Sequence, residues 1–274
     1  MRLIQPIFAS TSSSASGLGA ENGIHEAGNS IVERVKQDMA LGVKEFLLFY
    51  IPENKLLDDK HNFLKVSRVA QQLTKLNIKL NVDVCLCAYT EDGHCNVTGN
   101  QEKTEKLLTE QAVTIYEMSG ATVAPSDCQP NTVKNIKNAN KEIPVMSYST
   151  KFRSSFYSGW RNVMGIEKGI VRPYQLDVSD RDKAIIKSVK YADDGADELM
   201  VKPGMTSIDL IGPIKQITGK PCGAFQVSGE WLSITTPEQL LETYHVFDRA
   251  GADYMISYGA RKLCNLKASK GDLN

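Results

Sequence analysis

Apolar runs of strand length alternate with helical stretches along most of the chain. Several polar helical stretches end in a glycine followed by a small residue, and an apolar run starts soon afterwards. Glycine at a helix end accepts the left-handed backbone that stops the helix, and a short connection then leads into a buried strand. This pattern occurs at 39–50, 118–126, 193–204 and 249–260.

Eight strand candidates result when further apolar runs are added and the count starts at FLLFYI, which ends at Ile51. The added runs lie at 80–87, 144–149, 172–177 and 222–228. Eight strands alternating with helices predict an α/β fold of the (β/α)8 TIM-barrel type. A doubly wound open sheet is the alternative, but no GxGxxG segment follows the first strand to support a dinucleotide fold.

The length fits one barrel, so we expect a single domain over residues 1–274 with a short N-terminal extension. A hydrophobic content of 42% is enough for a sizeable core. The Ser/Gly-rich stretch within residues 10–20 follows a short strand, IQPIF, and we interpret it as a flexible loop.

Charge and the N-terminus narrow the class of protein. Lys plus Arg and Asp plus Glu number 32 each, without a basic block, which argues against nucleic-acid partners and anionic membrane surfaces. The longest apolar runs are too short to span a bilayer, and Gln5 and Pro6 interrupt any signal-peptide core. We therefore expect a cytoplasmic protein, where clustered cysteines more often bind metal or do chemistry than form disulfides.

Three cysteines crowd the stretch DVCLCAYTEDGHC, with the spacing C-x-C-x7-C at Cys85, Cys87 and Cys95. Thiolates suit zinc, and three protein ligands leave a position for water or substrate. A closed structural site would need a fourth ligand, for which His94 is the obvious local candidate, so a four-ligand zinc clip or merely buried thiols are alternatives. The remaining cysteines are scattered and are interpreted as core or surface thiols: Cys128, Cys222 and Cys264.

Two lysines lie at the ends of strand candidates, where barrel enzymes place their chemistry. Lys202 follows Glu-Leu-Met-Val and precedes Pro-Gly, so it is either a surface residue or an amine at the barrel mouth. Desolvation or a second cation lowers an amine pKa from its ordinary value of about 10.4 and frees the amine to attack a ketone. Lys151, two strand candidates earlier, could be that cation. The pair suggests Schiff-base chemistry, with one carbonyl on each lysine or one lysine tuning the other.

Further polar residues end other strand candidates and are expected at the same rim: Asp83, Ser126, Ser147, Ser149, Gln175 on the fifth candidate, Ser228 and Tyr258. Arg161 and Arg172 bracket the segment NVMGIEKGIV, which we interpret as a mobile lid. Guanidinium groups hold carboxylates in bidentate geometry. Solvated surface arginines are the alternative for both.

Seven segments together resemble the porphobilinogen synthase (5-aminolevulinate dehydratase) family and occur in the family's order from about residue 80 onward. They are DVCLCAYTEDGHC, ATVAPSD, PVMSYSTKFRSSFY, RPYQLD, DELMVKPGM, QVSGE and GADYMISY. The resemblance implies a (β/α)8 barrel. It also implies a hydro-lyase of tetrapyrrole and heme biosynthesis that condenses two 5-aminolevulinate molecules to porphobilinogen.

The resemblance also implies roles. Lys202 would form the Schiff base with the first substrate and Lys151 with the second. The three clustered cysteines would be zinc ligands, and Asp83 and Ser126 would hydrogen-bond near the lysines. The substrate carboxylates would be held by Ser228 and Tyr258 at the first site and by Arg161, Arg172 and Gln175 at the second.

The chain departs from the family pattern at several places. After VAPSD it reads CQPNT at 128–132 instead of Met-Met-Asp-Gly-Arg, and Phe225 stands where an aromatic hydroxyl is usual. The N-terminal arm that builds the family octamer is nearly absent, so we expect a homo-oligomer that is at least a dimer. The alternatives are a diverged homologue acting on 5-aminolevulinate or another amino ketone, and a non-catalytic zinc-binding barrel. Retention of the lysines, cysteines and arginines counts against the last.

Overall fold

The strand EFLLFYI is an almost unbroken apolar run, as expected for parallel strands that are covered on both faces, whereas other strands, such as MSYSTK, carry polar residues at alternate positions. The computed structural model describes residues 1–10, 24–26, 28–55, 57, 60–157 and 172–270. Its strands are β1 (Arg2–Ser10), β2 (Ile24–Glu26), β3 (Glu45–Ile51), β4 (Lys79–Val84), β5 (Thr122–Pro125), β6 (Met146–Lys151), β7 (Glu198–Lys202), β8 (Cys222–Gln226) and β9 (Tyr254–Ser257).

Eight of these strands form a nearly closed parallel barrel in the order β5-β4-β3-β1-β9-β8-β7-β6, while β2 pairs with β1 off this path. The two ends of the order approach each other. Val123 pairs with Val145 in a parallel bridge, and the Val123 N–H donates to the Pro144 carbonyl oxygen at 2.9 Å. The predicted (β/α)8 TIM-barrel fold is confirmed.

The membership of the barrel differs from the sequence-based count. β1, predicted to lie in a short N-terminal extension, pairs with both β3 and β9 and is a barrel strand. The candidate at 172–177 is not a strand, because Pro173 lacks a donor and the Gln175 N–H turns back to the Arg172 carbonyl oxygen at 3.0 Å. Its strand-like pairing is limited to one bridge between Phe152 and Leu176. The loop predicted at 10–20 lies outside the described residues, apart from Ser10.

Helices separate the strands and cover the barrel. They are α1 (Asn29–Ala40), α2 (Lys60–Thr74), α3 (Gln101–Ser119), α4 (Thr132–Ala139), α5 (Arg181–Asp193), α6 (Ile211–Thr218), α7 (Ser228–Leu232), α8 (Pro237–Arg249) and α9 (Ala260–Lys270), with 3₁₀ turns at Ser155–Tyr157 and Met205–Leu210. The glycines predicted to follow helices have positive φ angles, as at Gly120, where φ is 68°. Among the described residues, no helix is both long and apolar enough to cross a membrane.

The interior has two distinct ends. Ion pairs close the N-terminal end of the strands: Arg2 contacts Glu45 at 3.0 Å and Glu198 at 2.6 Å, and Lys79 contacts the same two carboxylates. Aromatic side chains fill the middle, where Tyr254 packs over Arg2, and line an open space at the opposite end. This group comprises Phe8, Phe49, Tyr148, Phe225, Tyr254 and Tyr258, all at most 6% exposed. The C-terminal ends of the strands therefore carry the space available for chemistry.

Candidate active site

A cavity opens among the C-terminal ends of the barrel strands and encloses about 690 Å³ including its mouth. Ten of the twelve residues predicted for the site line it: Asp83, Cys87, Cys95, Ser126, Lys151, Arg172, Gln175, Lys202, Ser228 and Tyr258. Cys85 lies just behind, beside the other two thiols. Arg161 and the segment predicted as a lid lie outside the described residues.

Lys202 ends β7 inside a group of aromatic rings. Its Nζ atom lies 4.1 Å from the ring centroid of Phe225, 4.9 Å from that of Tyr148 and 5.7 Å from that of Tyr157. Burial, followed by the positive charge of Lys151, lowers the pKa of Lys202 to about 7. An amine with this pKa is partly neutral near pH 7 and can act as a nucleophile.

Lys151 reaches the cavity because β6 contains a β-bulge. The register with β7 shifts by one residue between Ser147 and Thr150, which brings Lys151 directly opposite Lys202. Ser149 and Thr150 both turn outward, where their hydroxyls lie 3.0 and 2.9 Å from the Ser188 hydroxyl on α5. The extra residue restores the inward direction at position 151. Ser149, expected at the rim, instead faces α5.

The Lys151 amine is held inside the cavity. Its Nζ atom donates to the carbonyl oxygen of Ser126 at 2.5 Å. Burial lowers the pKa of Lys151, but negative charge on the neighbouring cysteines, Cys95 first, raises it further, so the net direction is upward. The positive charge of Lys151 in turn helps to lower the pKa of Lys202, after burial.

Asp83, near the end of β4, is the carboxylate close to both amines. Burial raises its pKa to about 6, although Lys151, then Lys202, and a hydrogen bond with the Ser126 side chain act in the opposite direction. Its Oδ1 atom is buried and has no hydrogen-bond partner among the described residues. A carboxyl group with a pKa near neutrality can accept or return a proton at either amine.

The three predicted thiols converge where β4 ends. The sulfur atoms of Cys85, Cys87 and Cys95 all lie within 4.8 Å of one another, and all three side chains are buried. The His94 ring is directed to Tyr174, with 3.4 Å between Nδ1 and the tyrosine oxygen, and does not belong to this group. Three clustered sulfur donors fit a thiophilic ion such as zinc and leave a coordination position open. The four-ligand clip with His94 is not formed in this arrangement.

Two of the three residues predicted to bind the second substrate, Arg172 and Gln175, lie on the segment that follows β6. The Arg172 guanidinium is buried and donates to the Gly93 carbonyl oxygen at 3.0 Å. Gln175 lies on this irregular segment and not on a fifth barrel strand. Its Oε1 atom is buried and lacks a hydrogen-bond partner in the described part of the chain.

Ser228 and Tyr258 lie on the opposite wall of the cavity. Ser228 begins α7, and its hydroxyl is 3.5 Å from the Phe156 carbonyl oxygen. Tyr258 directly follows β9 and stacks on Phe8 with 6.0 Å between ring centroids. Burial raises the pKa of Tyr258, so its hydroxyl remains neutral and can donate a hydrogen bond.

Several residues of the site were missed by the sequence reasoning. The aromatic wall includes Phe8 on β1, which would have been found had β1 been counted as a barrel strand. Glu230 accepts backbone N–H bonds from Gly204, Met205 and Thr206, at 2.8 to 3.2 Å, and from Val227 at 2.9 Å. It thereby fixes the turn that follows Lys202. Its place in the QVSGE segment was the available signal.

The fold and the cavity define a (β/α)8-barrel enzyme with paired interior lysines beside a thiol cluster. The chain matches the family model described as Delta-aminolevulinic acid dehydratase over residues 1–266. It belongs to the delta-aminolevulinic acid dehydratase family and is an enzyme of the lyase class. The resemblance found in the sequence is confirmed.

Individual relatives agree with this assignment. The chain is 32% identical over 291 residues to the delta-aminolevulinic acid dehydratase of Helicobacter pylori, covering 96% of this chain and 90% of that protein. A crystal structure of the Toxoplasma gondii enzyme, in complex with the reaction product porphobilinogen, superimposes with a TM-score of 0.86 at 26% identity, covering 98% of this chain and 86% of that one. Dihydropteroate synthase from Yersinia pestis, with a TM-score of 0.54 at 11% identity over 98% of this chain and 94% of that one, shares the fold alone.

Proposed function

We propose that the chain condenses two 5-aminolevulinate molecules to porphobilinogen through lysine Schiff bases, with zinc at the three thiols. The observation that carries this proposal is Lys202, an amine with a pKa of about 7 that is enclosed by aromatic rings and lies opposite a second lysine. Family membership and the product bound to the Toxoplasma gondii relative support the same reaction.

In the proposed first half-reaction, the neutral Lys202 amine attacks the ketone carbon of one substrate. A carbon–nitrogen bond forms, and the ketone oxygen departs as water after it has gained protons. Asp83 would carry these protons, since its pKa of about 6 allows both forms near neutrality. Phe225 and Tyr148 exclude water, and their ring faces stabilise the cationic iminium form of the adduct.

The proposed second half-reaction uses the other amine. Lys151 would hold the second substrate in the same way after giving up a proton, with the Ser126 carbonyl oxygen keeping the amine in place. Ser228 and Tyr258 would bind the carboxylate of the first substrate, and Arg172, Gln175 and Arg161 that of the second. Two substrates held in a fixed order gain the rate advantage of proximity when one carbon–carbon and one carbon–nitrogen bond form and two waters leave.

The thiol cluster would hold the metal. Cys85, Cys87 and Cys95 supply three sulfur donors, and an ion bound there supplies Lewis-acid polarisation of a substrate oxygen at its open position. Asp83 lies two residues before Cys85, so the proposed proton carrier and the proposed metal share one strand end.

The test is porphobilinogen formation from 5-aminolevulinate by the purified chain, with zinc and with a chelator. Pyrrole formation that depends on zinc and is lost in Lys202→Met supports the proposal. Lys134→Met, which removes an exposed lysine on α4, is the matched control and should keep wild-type activity. Absence of pyrrole, with no adduct on Lys202 after borohydride treatment, would contradict 5-aminolevulinate as the substrate.

A second candidate is a diverged Schiff-base condensation of 5-aminolevulinate or another amino ketone. Phe225 favours it, because this departure from the family pattern contacts the Lys202 amine directly. The CQPNT loop is a second departure: Thr132 and Gln129 both donate to Asp127, and Cys128 has a φ of 67°. Borohydride trapping of 5-aminolevulinate without pyrrole would support this candidate. The low pKa of Lys202 counts against a non-catalytic zinc-binding barrel.

The setting of the enzyme is also a proposal. All six cysteines are free thiols, which suits the reducing cytoplasm. We further propose a homo-oligomer that is at least a dimer and has no nucleic-acid or membrane partner. Light scattering of the purified chain tests the oligomeric state, since a monomeric mass would contradict it.

A further inference from the structure

The segment Arg172–Leu176 and the loop that carries Cys95 are joined at two points. The Arg172 guanidinium donates to the Gly93 carbonyl oxygen at 3.0 Å, and the Cys95 backbone N–H donates to the Tyr174 hydroxyl oxygen at 2.9 Å. One side of this junction carries two residues that line the cavity, Arg172 and Gln175. The other side carries the third thiol.

Tyr174 contacts the thiol cluster with both parts of its side chain. Its ring packs against the three cysteines, and its hydroxyl oxygen accepts the Cys95 backbone N–H at 2.9 Å. The His94 ring meets the Tyr174 ring edge-on, with 6.0 Å between centroids. Because the hydroxyl accepts the Cys95 N–H, its own proton remains free for the sulfur or for His94 Nδ1.

The backbone of Tyr174 is itself held in place. Lys187 on α5 donates to the Tyr174 carbonyl oxygen at 3.4 Å and to the Cys128 carbonyl oxygen at 3.1 Å. Two residues later, the Leu176 N–H donates to the Lys151 carbonyl oxygen at 3.0 Å. The hydroxyl is therefore presented to Cys95 from a support fixed to β6 and α5.

Cys95 needs such a support more than its partners do. Cys85 and Cys87 directly follow β4 and are placed by the strand. Cys95 comes eight residues after Cys87, on a loop without regular structure. Ligands on loops are held less accurately than ligands on strands, and hydrogen bonds to them restore the required geometry.

We propose that Tyr174 is a positioning residue that holds Cys95 in the metal-binding arrangement and ties the thiol loop to the segment carrying Arg172 and Gln175. This inference rests on the proposed metal at the three thiols. Tyr174 touches the ligand residue and not the reacting atoms, so its first effect is on metal binding.

The test compares the full-length chain with Tyr174→Phe, which keeps the ring and removes the hydroxyl. Zinc affinity is measured by competition with a chromophoric chelator, and we expect Tyr174→Phe to weaken it about tenfold to a hundredfold. Tyr244→Phe is the matched control, because its hydroxyl bonds Lys267 on the outer helices, and it should leave zinc affinity unchanged. Circular dichroism of the metal-free proteins establishes that each variant folds.

Cobalt(II) gives a second readout that a general loss of stability would not move. Bound thiolates produce sulfur-to-cobalt charge-transfer absorption, and we expect Tyr174→Phe to reduce this absorption at saturating cobalt because Cys95 is displaced. His94→Ala should retain both the absorption and the zinc affinity. A loss in His94→Ala as large as that in Tyr174→Phe would show that the tyrosine acts by orienting His94, and would overturn the proposal.

The outcomes separate this inference from the proposed metal centre. A wild-type chain without tight zinc binding or charge-transfer absorption would refute the metal centre and the inference together. If Tyr174→Phe binds zinc as tightly as the wild-type chain and gives the same cobalt spectrum, only the proposed role of Tyr174 is refuted.

Discussion

Lys151 on β6 and Lys202 on β7 are register partners on neighbouring parallel strands. Their amines approach the same Tyr148 ring, with Nζ-to-centroid distances of 6.0 and 4.9 Å. Two cations in one enclosed space repel each other, so the more easily deprotonated amine loses its proton. The register thus links strand pairing to the reactivity of Lys202.

The pH dependence of Schiff-base formation is the first expected consequence. Below its pKa of about 7, Lys202 is protonated and cannot attack a ketone; above it, the neutral amine predominates. We expect the rate at which borohydride traps 5-aminolevulinate on Lys202 to fall about tenfold for each pH unit below that value and to level off above it. A rate that is flat from about pH 6 to 8 would count against the lowered pKa of Lys202.

Replacement of Lys151 by Met should move this pH profile upward. Burial is the largest cause of the lowered pKa of Lys202, and the positive charge of Lys151 is the second. The substitution removes this second cause. We expect the acid limb of the trapping rate to shift by about one pH unit toward higher pH. Trapping is measured instead of turnover, because Lys151 is also proposed to bind the second substrate. Lys134→Met should leave the limb where it is.

The hydroxyl groups of Ser149, Thr150 and Ser188, on the outer side of the β-bulge, should help to hold Lys151 in position. Ser188 on α5 bonds both Ser149 and Thr150, so Ser188→Ala removes two buried hydrogen bonds. The two hydroxyls keep only their longer bonds to backbone carbonyl oxygens, at 3.3 and 3.4 Å. We expect the free energy of unfolding to fall by about 1–3 kcal/mol and kcat to fall because Lys151 is held less accurately. Urea denaturation and steady-state kinetics provide the two measurements. Thr114→Val, which removes a partly buried helix hydroxyl on α3, is the control for kcat.

The bulge also shows what the sequence could and could not reveal. Lys202 and the three cysteines were predictable from short local patterns, because Lys202, Cys85 and Cys87 lie at strand ends and Cys95 completes the C-x-C-x7-C spacing. The inward direction of Lys151 depends on the extra residue in β6, which the pattern SYSTK does not mark. Ser149 was expected at the rim because it lies near the end of a strand, whereas its hydroxyl bonds Ser188 on α5. A one-residue shift reverses every later side chain of a strand.

Long-range pairing accounts for the other differences. The run RPYQLD has the composition of a strand, but a strand also needs a neighbour with free backbone groups. Lys202, which ends β7, is paired with Lys151, and the run obtains only the bridge at Leu176. β1 is a barrel strand because it pairs with β3, starting at Glu45, and with β9, starting at Tyr254. Both partners are more than 30 residues away in sequence. The fold class could be predicted from the repeating strand–helix pattern alone. Which runs become barrel strands could not be predicted without these long-range contacts.

Substitution of a clustered cysteine should weaken zinc binding, whereas substitution of an isolated cysteine should not. Cys95→Ser is expected to lose most zinc affinity, since a hydroxyl is a poor ligand for a thiophilic ion. Cys128→Ser is the matched comparison: Cys128 is also buried, but its sulfur contacts the Ser126 carbonyl oxygen at 3.8 Å and lies outside the cluster. Metal content after dialysis against a weak chelator measures the difference. Equal losses in the two variants would contradict the three-thiol site.

Glu230 should be the most sensitive carboxylate of the site to a neutral replacement. Each of its oxygens accepts two backbone N–H groups, Met205 and Thr206 on Oε1 and Gly204 and Val227 on Oε2. In Glu230→Gln the new amide group must face two of these donors. It faces the Oε2 pair at the lower cost, because the Gly204 N–H also donates to the Phe225 carbonyl oxygen at 2.7 Å, and the Val227 N–H is then left unpaired. We expect the free energy of unfolding to fall by about 1–3 kcal/mol, as judged by urea denaturation.

Glu230→Gln should also slow the reaction of Lys202 with substrate, because Glu230 holds the turn that follows Lys202. We expect trapping of substrate on Lys202 to slow even at temperatures where the variant remains folded. Glu238→Gln, on the exposed first turn of α8, should change the free energy of unfolding by no more than about 0.5 kcal/mol. If Glu230→Gln unfolded at the same urea concentration as Glu238→Gln, the turn after β7 would owe its stability to other contacts. In that case the position of Lys202 would depend on the strand β7 alone.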